Sequence, residues 1–217
     1  KVALDAVATS DFADRDRIEQ ADGPSPTWSV IPRGTRIYLA GQAEPGQTLP
    51  EMTRKTLMSL VETLKFLGRG QSDIVQLKAF LQPMSEVAEV RTALQEFFGN
   101  RPVPPTVYVE WLGKRSIEIE IVAWGGRGQN GPAVEYLTPP SMKSSPVYSR
   151  IARMNNSASI YLSGLYASAV PGLTNSDARE PAAAEREVKG VFAELDTILK
   201  QTRGDWKHLV KATYYCS

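Results

Sequence analysis

Apolar and polar positions alternate with two different periods along this chain, and the switches between them predict its elements. Thr27 to Ile31 and Thr35 to Ala43 are β-rich runs separated by Pro32-Arg-Gly34, the pattern of a hairpin. Thr48-Leu-Pro-Glu51 then has capping-box spacing with proline inside the first turn, so a helix starts there. Leu57, Leu60, Val61, Leu64 and Leu67 recur at helical spacing until Gly68 and Gly70 stop the run. Asp73 to Leu81 returns to a period of two, with Val75, Leu77, Ala79 and Leu81 toward the helix and Gln76, Lys78 and Phe80 away from it. Ser85 to Phe98 is a second amphipathic helix carrying Val87, Val90, Leu94 and Phe97 on one face, with Ser85 as its cap and Gly99-Asn100 as its exit. Two strands follow, Thr106 to Leu112 and Ser116 to Trp124, and in the second Ile117, Ile119 and Ile121 alternate with Glu118 and Glu120. The unit is ββαβαββ, an α/β (α+β) sheet with two helices on one face.

The order then starts again. Arg36-Ile-Tyr-Leu-Ala-Gly-Gln42 returns as Ser159-Ile-Tyr-Leu-Ser-Gly-Leu165, Ile160 lying 123 positions after Ile37. That spacing is too long for a solenoid repeat and suits a small domain used in tandem. Residues 1–26 read as an N-terminal arm, 27–125 as the first unit and 126–145, rich in Gly, Pro and Ser, as a linker with a short strand at Ala133 to Leu137. In residues 146–217, Val147 to Met154 and Ser159 to Ala167 make a hairpin and Glu187 to Gln201 a helix. Trp206 to Cys216 makes a strand, with Lys211-Ala212 in the place of Lys78-Ala79. This second unit is partial, without its second helix and last two strands, and the expectation is that residues beyond Ser217 or another chain supply them. Because the sequence opens on Lys1 rather than methionine, trimming ahead of it is expected too.

Composition narrows the function classes. Of 217 residues, 42% are hydrophobic and 23% charged, with a net charge of +1 and the two signs interspersed. No basic stripe points to nucleic acid and no polybasic run to a membrane surface. No apolar run approaches a membrane span and no signal-peptide core is visible, so a soluble, cytoplasmic protein is expected. One cysteine, Cys216, and one histidine, His208, leave no disulfide and no Cys/His zinc set within the chain, and no metal or cofactor is expected. His208 aligns with Val75 and reads as a sheet histidine, and Cys216 as a packing residue in the same strand. Gly125-Gly-Arg-Gly128 lacks the strand-to-helix setting of a phosphate cradle.

The hairpin ending Tyr-Leu-Ala-Gly-Gln42, the helix followed by Asp73-Ile-Val-Gln-Leu-Lys78, the Glu96-Phe-Phe98 helix end and Ser116-Ile-Glu-Ile-Glu-Ile-Val-Ala123 together resemble the RidA/YjgF (endoribonuclease L-PSP) family. A weaker resemblance covers Val147 to Ser217 through Tyr161-Leu-Ser-Gly164 and Lys211-Ala-Thr213. It implies a chorismate-mutase-like fold repeated in tandem and a trimer or pseudo-symmetric ring with small-molecule clefts between subunits. It also implies imine or enamine deaminase-type hydrolysis without a cofactor. The "endoribonuclease" label finds no basic, aromatic-lined surface here.

The family's carboxylate-clamping arginine, a bidentate task suited to a guanidinium, falls at Pro104, with Arg101 three residues upstream as the substitute. Glu120 and Arg101 are therefore the catalytic candidates. Glu118, Arg91 (in place of a family asparagine), Tyr148 and Ser163 are the ligand-binding candidates, and Arg150 and Arg153 are further cations for a cleft in the second copy. Glu118 and Glu120 share one sheet face, where they could orient a water, and the same places suit solvated or salt-bridged sheet residues. Two functions stay open: a diverged small-molecule hydrolase whose first copy is inactive, or a non-catalytic metabolite-binding or oligomeric scaffold member.

Overall fold

The computed structural model describes residues 17–20, 29–128, 130–155, 181–201 and 205–212. The chain divides into two compact units, Lys1–Ser157 and Ala158–Ser217.

The first unit is a mixed six-stranded sheet with two helices. Its elements are β1 (Glu19–Gln20), β2 (Ser29–Val30), β3 (Arg36–Gln42), α1 (Leu49–Lys65), β4 (Ile74–Leu81), α2 (Val87–Phe98), β5 (Thr106–Glu110), β6 (Ile117–Trp124), β7 (Val134–Leu137) and β8 (Ile151–Met154). The large sheet runs β5-β4-β6-β3-β8-β7, antiparallel except for the β4–β5 pair. Thr48 Oγ1 accepts the Glu51 N–H at 3.3 Å to cap α1, while Glu51 reaches back to the Gln47 N–H at 2.8 Å. At the other end Gly68, at φ 68°, turns the chain off the helix in the left-handed region that a side chain disfavours.

The core lies between the helices and one sheet face. Leu57, Leu60 and Leu64 of α1 and Val90, Leu94 and Phe98 of α2 meet Ile37 and Leu39 of β3, Leu77, Ala79 and Leu81 of β4, and Ile117, Ile119 and Ile121 of β6. Period-two alternation sends the intervening residues to the opposite face, where Lys78 pairs in register with Glu120 and Phe80 with Glu118.

Four expectations change. The hairpin of Thr27–Ile31 with Thr35–Ala43 does not form: Ser29–Val30 pairs with Glu19–Gln20, and the edge of β3 is taken by Ile151–Met154, Tyr38 standing opposite Ala152. That segment, expected to open the second unit, is thus a strand of the first unit's sheet, and Val134–Leu137 from the expected linker pairs on its outer side. In β4, Ile74 pairs with Ala123 and Gln76 with Val122, so Val75 is the extra residue of a bulge and Ile74 takes the core position. Ser85 does not cap α2, because a 3₁₀ turn, Met84–Glu86, precedes the helix.

The second unit contains α3 (Pro181–Gln201), six residues longer at its start than the periodicity predicts. Trp206–His208 forms a 3₁₀ turn where a strand is expected, and 209–212 continue without strand structure. His208 is exposed there, not a sheet histidine. Trp206 donates its indole N–H to Asp196 at 2.9 Å and packs at 5.6 Å against Phe192, which ties this turn to α3 instead. The expected hairpin strand Ser159–Ala167, with Ser163, and residues 213–217, with Cys216, lie outside the described residues. Among the described residues no helix is long and apolar enough to cross a membrane.

Candidate functional site

β6 places the two glutamates. Because both are even-numbered in a strand whose odd positions fill the core, Glu118 and Glu120 project from the same face, roughly 7 Å apart. The Glu118 carboxylate lies against Gly41, where any Cβ would run into it. The glycine of the Tyr-Leu-Ala-Gly-Gln motif is therefore a close-approach position, a role its sequence context did not reveal. Burial, then the neighbouring charge of Glu120, pushes the Glu118 carboxyl above the ordinary carboxylate range. Glu120 Oε2 is itself buried, with Lys78, only 8% exposed, across the ladder. A carboxyl with a raised pKa beside an ionisable partner is chemically suited to hold or pass a proton.

Next to them Gln42, 5% exposed, donates from Nε2 to Thr63 Oγ1 at 2.9 Å, and Thr63 in turn donates to Ser59 O at 3.0 Å. This chain of bonds fixes the end of β3 to α1 and holds Gly41 beneath Glu118.

Arg101 is elsewhere. It follows α2, its backbone N–H bonded to Phe98 O at 3.1 Å, and its side chain is exposed. With Gln20, Gln71, Ser72, Ile74, Phe98, Pro102 and Pro104 it lines a cavity of about 170 Å³. The cavity touches Ile74 at the start of β4, whereas Glu120 stands opposite Lys78, four residues or roughly 13 Å further along. The first unit therefore does not bring Arg101 and Glu120 together.

The other candidates are also dispersed. The Arg91 guanidinium lies 5.1 Å from the centre of the Tyr108 ring, a cation–π contact between α2 and β5. Burial raises the Tyr108 hydroxyl's pKa, with the Arg91 charge opposing it. Tyr148 is exposed and accepts from Arg150 Nη1 at 2.8 Å, while Arg153 is committed to Glu135 at 2.8 Å. Among the described residues no group of three or more His, Cys, Asp or Glu side chains gathers in a way that could hold a metal.

Residues 25–124 match the family model Endoribonuclease L-PSP. Over these residues the chain is similar to the RidA/YjgF/L-PSP superfamily. RutC family proteins of Pyrococcus horikoshii and Pyrococcus abyssi are each 27% identical over 117 residues, spanning 49% of this chain and 93% and 92% of their own lengths. Among solved structures, a conserved Rid family protein of Yersinia pestis is 22% identical with a TM-score of 0.42, covering 46% of this chain and 86% of that one. RidA of the Antarctic bacterium Psychrobacter sp. is 18% identical with a TM-score of 0.38, covering 51% and 95%.

Within residues 25–124 the position assigned by resemblance to a clamping arginine is Pro104. It is buried, its carbonyl accepts the Thr106 hydroxyl at 2.8 Å, and the next carbonyl, of Pro105, accepts Leu77 N–H at 3.0 Å. The two prolines thus form the entry to β5 beside β4. Gln20, Gln71 and Ser72, which join Arg101 around its cavity, carry no sequence motif, and only the fold assembles them.

Proposed function

We propose that the L-PSP domain of this chain binds a small metabolite or serves as an oligomeric scaffold without catalysing the imine or enamine hydrolysis found in its family. Pro104 carries this reading: a buried proline in the structural lead-in to β5 offers no cation at the clamp position, and Arg101 stands too far along the sheet to replace it. A hydrolase needs the substrate carboxylate and the water-orienting carboxylate in one constellation, since misplacement of reacting groups forfeits most of the rate advantage. The loss of turnover does not require loss of the fold, and one scaffold can host binding or chemistry.

A second reading, a diverged imine or enamine hydrolase, is favoured by one observation, the half-buried Glu118 carboxyl with its raised pKa beside Glu120. Its clefts would lie between subunits of a trimer or pseudo-symmetric ring, with a partial second copy in the second unit, Ala158–Ser217, supplying the cation. What supports a tandem copy is the repeated Ile-Tyr-Leu motif at Ile160 and the helix Pro181–Gln201 in the expected order. Release of ammonia from freshly generated 2-imino acids separates the readings. The binding reading predicts the buffer rate, and a catalysed rate abolished by Glu120→Gln would establish the hydrolase.

A further inference from the structure

We propose that three arginines converging on Gly126 form a binding site for the phosphate group of a small molecule. It lies past the end of β6, about 20 Å along the strand from Glu118, and is independent of any turnover at the glutamate pair. Three loops meet there. The turn before β3 crosses the exit of β6, with the Thr35 N–H on Gly126 O at 2.9 Å and the Gly125 N–H on Thr35 O at 2.7 Å. A Cβ on Gly34, at φ 140°, would run into the Gly126 carbonyl and come within 3.2 Å of Arg127 Cα, so glycine is what lets the two loops cross. The turn after α1 brings Arg69, whose guanidinium lies over Gly126, with Cζ and Nη1 3.0 and 3.3 Å from where a Cβ would stand. Arg33 adjoins Gly34 and Arg127 adjoins Gly126, so the Arg127 backbone is within roughly 9 Å of the Arg33 backbone and of the Arg69 guanidinium. Long side chains close such distances on one anion.

Among the described residues neither Arg33 nor Arg69 has a side-chain hydrogen bond or an ion pair. The neighbouring carboxylates are engaged elsewhere: Asp73 Oδ2 accepts the Gly70 N–H at 2.9 Å, and Glu135, linked to Thr35 through Asn155, holds Arg153 at 2.8 Å. A guanidinium stays charged at physiological pH, so the cluster carries a mutual repulsion that a bound anion relieves. A phosphomonoester brings about 1.5–2 negative charges and three acceptor oxygens, which forked donors take in pairs, whereas the single charge of a carboxylate would leave the cluster in excess. Arg69 is half-buried against its glycine while Arg33 and Arg127 are exposed, so one donor is placed before binding and two close from solvent. With a net charge of +1 the chain has no basic stripe for tracking a polynucleotide, which favours a small phosphorylated molecule.

The test titrates inorganic pyrophosphate into the full ¹⁵N-labelled chain at fixed ionic strength and follows the backbone amides of Gly34 and Gly126 and the Arg69 Nε–H. The site predicts saturable shifts at these groups, with affinity weakened about tenfold by Arg69→Gln and by Arg33→Gln, as expected for loss of a charge-assisted contact. Arg69→Lys, which keeps the charge and loses the fork, should bind between wild type and Arg69→Gln. Arg54→Gln removes an arginine paired with Glu96 at 3.1 Å and should bind as the wild type does. Absence of saturation would overturn the proposal, as would unchanged binding by Arg69→Gln, equal weakening by Arg54→Gln, or equal saturation by acetate. A short oligouridylate that saturates the same amides at lower concentration than pyrophosphate would overturn the assignment to a small molecule. The imine assay reads turnover alone, so a failure here and a failure of the non-catalytic reading are told apart.

Discussion

Replacing Glu135 by glutamine tests how Ile151–Met154 is held on the sheet. Glu135 of β7 gathers three donors on one oxygen: Arg153 Nε at 2.9 Å and Nη2 at 2.8 Å, and Asn155 Nδ2 at 2.6 Å. Asn155 also accepts the buried Thr35 hydroxyl at 3.3 Å and donates to Pro132 O at 3.0 Å, so the cluster ties β8 to its neighbours on both sides. The Arg153 and Glu135 side chains are 19% and 23% exposed, between an open surface pair and a buried one. Hydrogen bonds to charge contribute about 1.5–3 kcal/mol and exposed pairs about 0–1, so Glu135→Gln should cost about 1–2 kcal/mol. In a chain of this size that lowers the melting temperature by roughly 3–6 °C.

The pH dependence supplies the sharper check. The Asn155 bond, helped by Arg153, holds the Glu135 carboxyl below the ordinary carboxylate range. Its contribution is present above the unfolded value of about 4.3 and is lost as pH falls through the lower folded value. Urea unfolding of both proteins should therefore show a gap at neutral pH that closes in acid. A gap of the same size in acid, or none at neutral pH, would refute the assignment of this cluster as the tie.

Leu57, with none of its surface exposed, sits where α1 meets the sheet, and Leu57→Ala should cost about 2–5 kcal/mol by denaturant unfolding. A loss within the scatter of a surface substitution would contradict that packing. Glu118 works in the opposite sense to Glu135: its folded pKa is raised, first by burial and then by Glu120, so the wild type loses stability as pH rises from the unfolded carboxylate value through the folded one. Glu118→Gln, always neutral, should gain on the wild type across that window, and a stability difference that is flat or shrinks with rising pH would contradict the burial.

The helices and the alternation of β6 were legible because each rests on local periodicity. Thr48 caps α1 as its spacing predicts, and Ile117, Ile119 and Ile121 all face the core. Strand pairing was less legible, because it depends on which distant segment competes for an edge. Ser29–Val30 has β character, yet Ile151–Met154 occupies the edge of β3, helped by an Asn155–Glu135–Arg153 cluster whose members lie up to 20 residues apart. The Val75 bulge shifts one residue between faces without changing composition, and alternation alone places Val75 in the core. For the site, the shared face of Glu118 and Glu120 followed from a period of two. The Arg101 cavity did not, since Gln20 and the Gln71-Ser72 pair come from segments distant in sequence from Arg101 and from each other.

The most direct test of the non-catalytic account is hydrolysis of a 2-imino acid by the full chain, with ammonia and the keto acid both quantified against a buffer blank. The account predicts the blank rate for the wild type, unchanged in Glu120→Gln and Arg101→Gln. Turnover above the blank that disappears in Glu120→Gln would contradict it and place a working general base on β6.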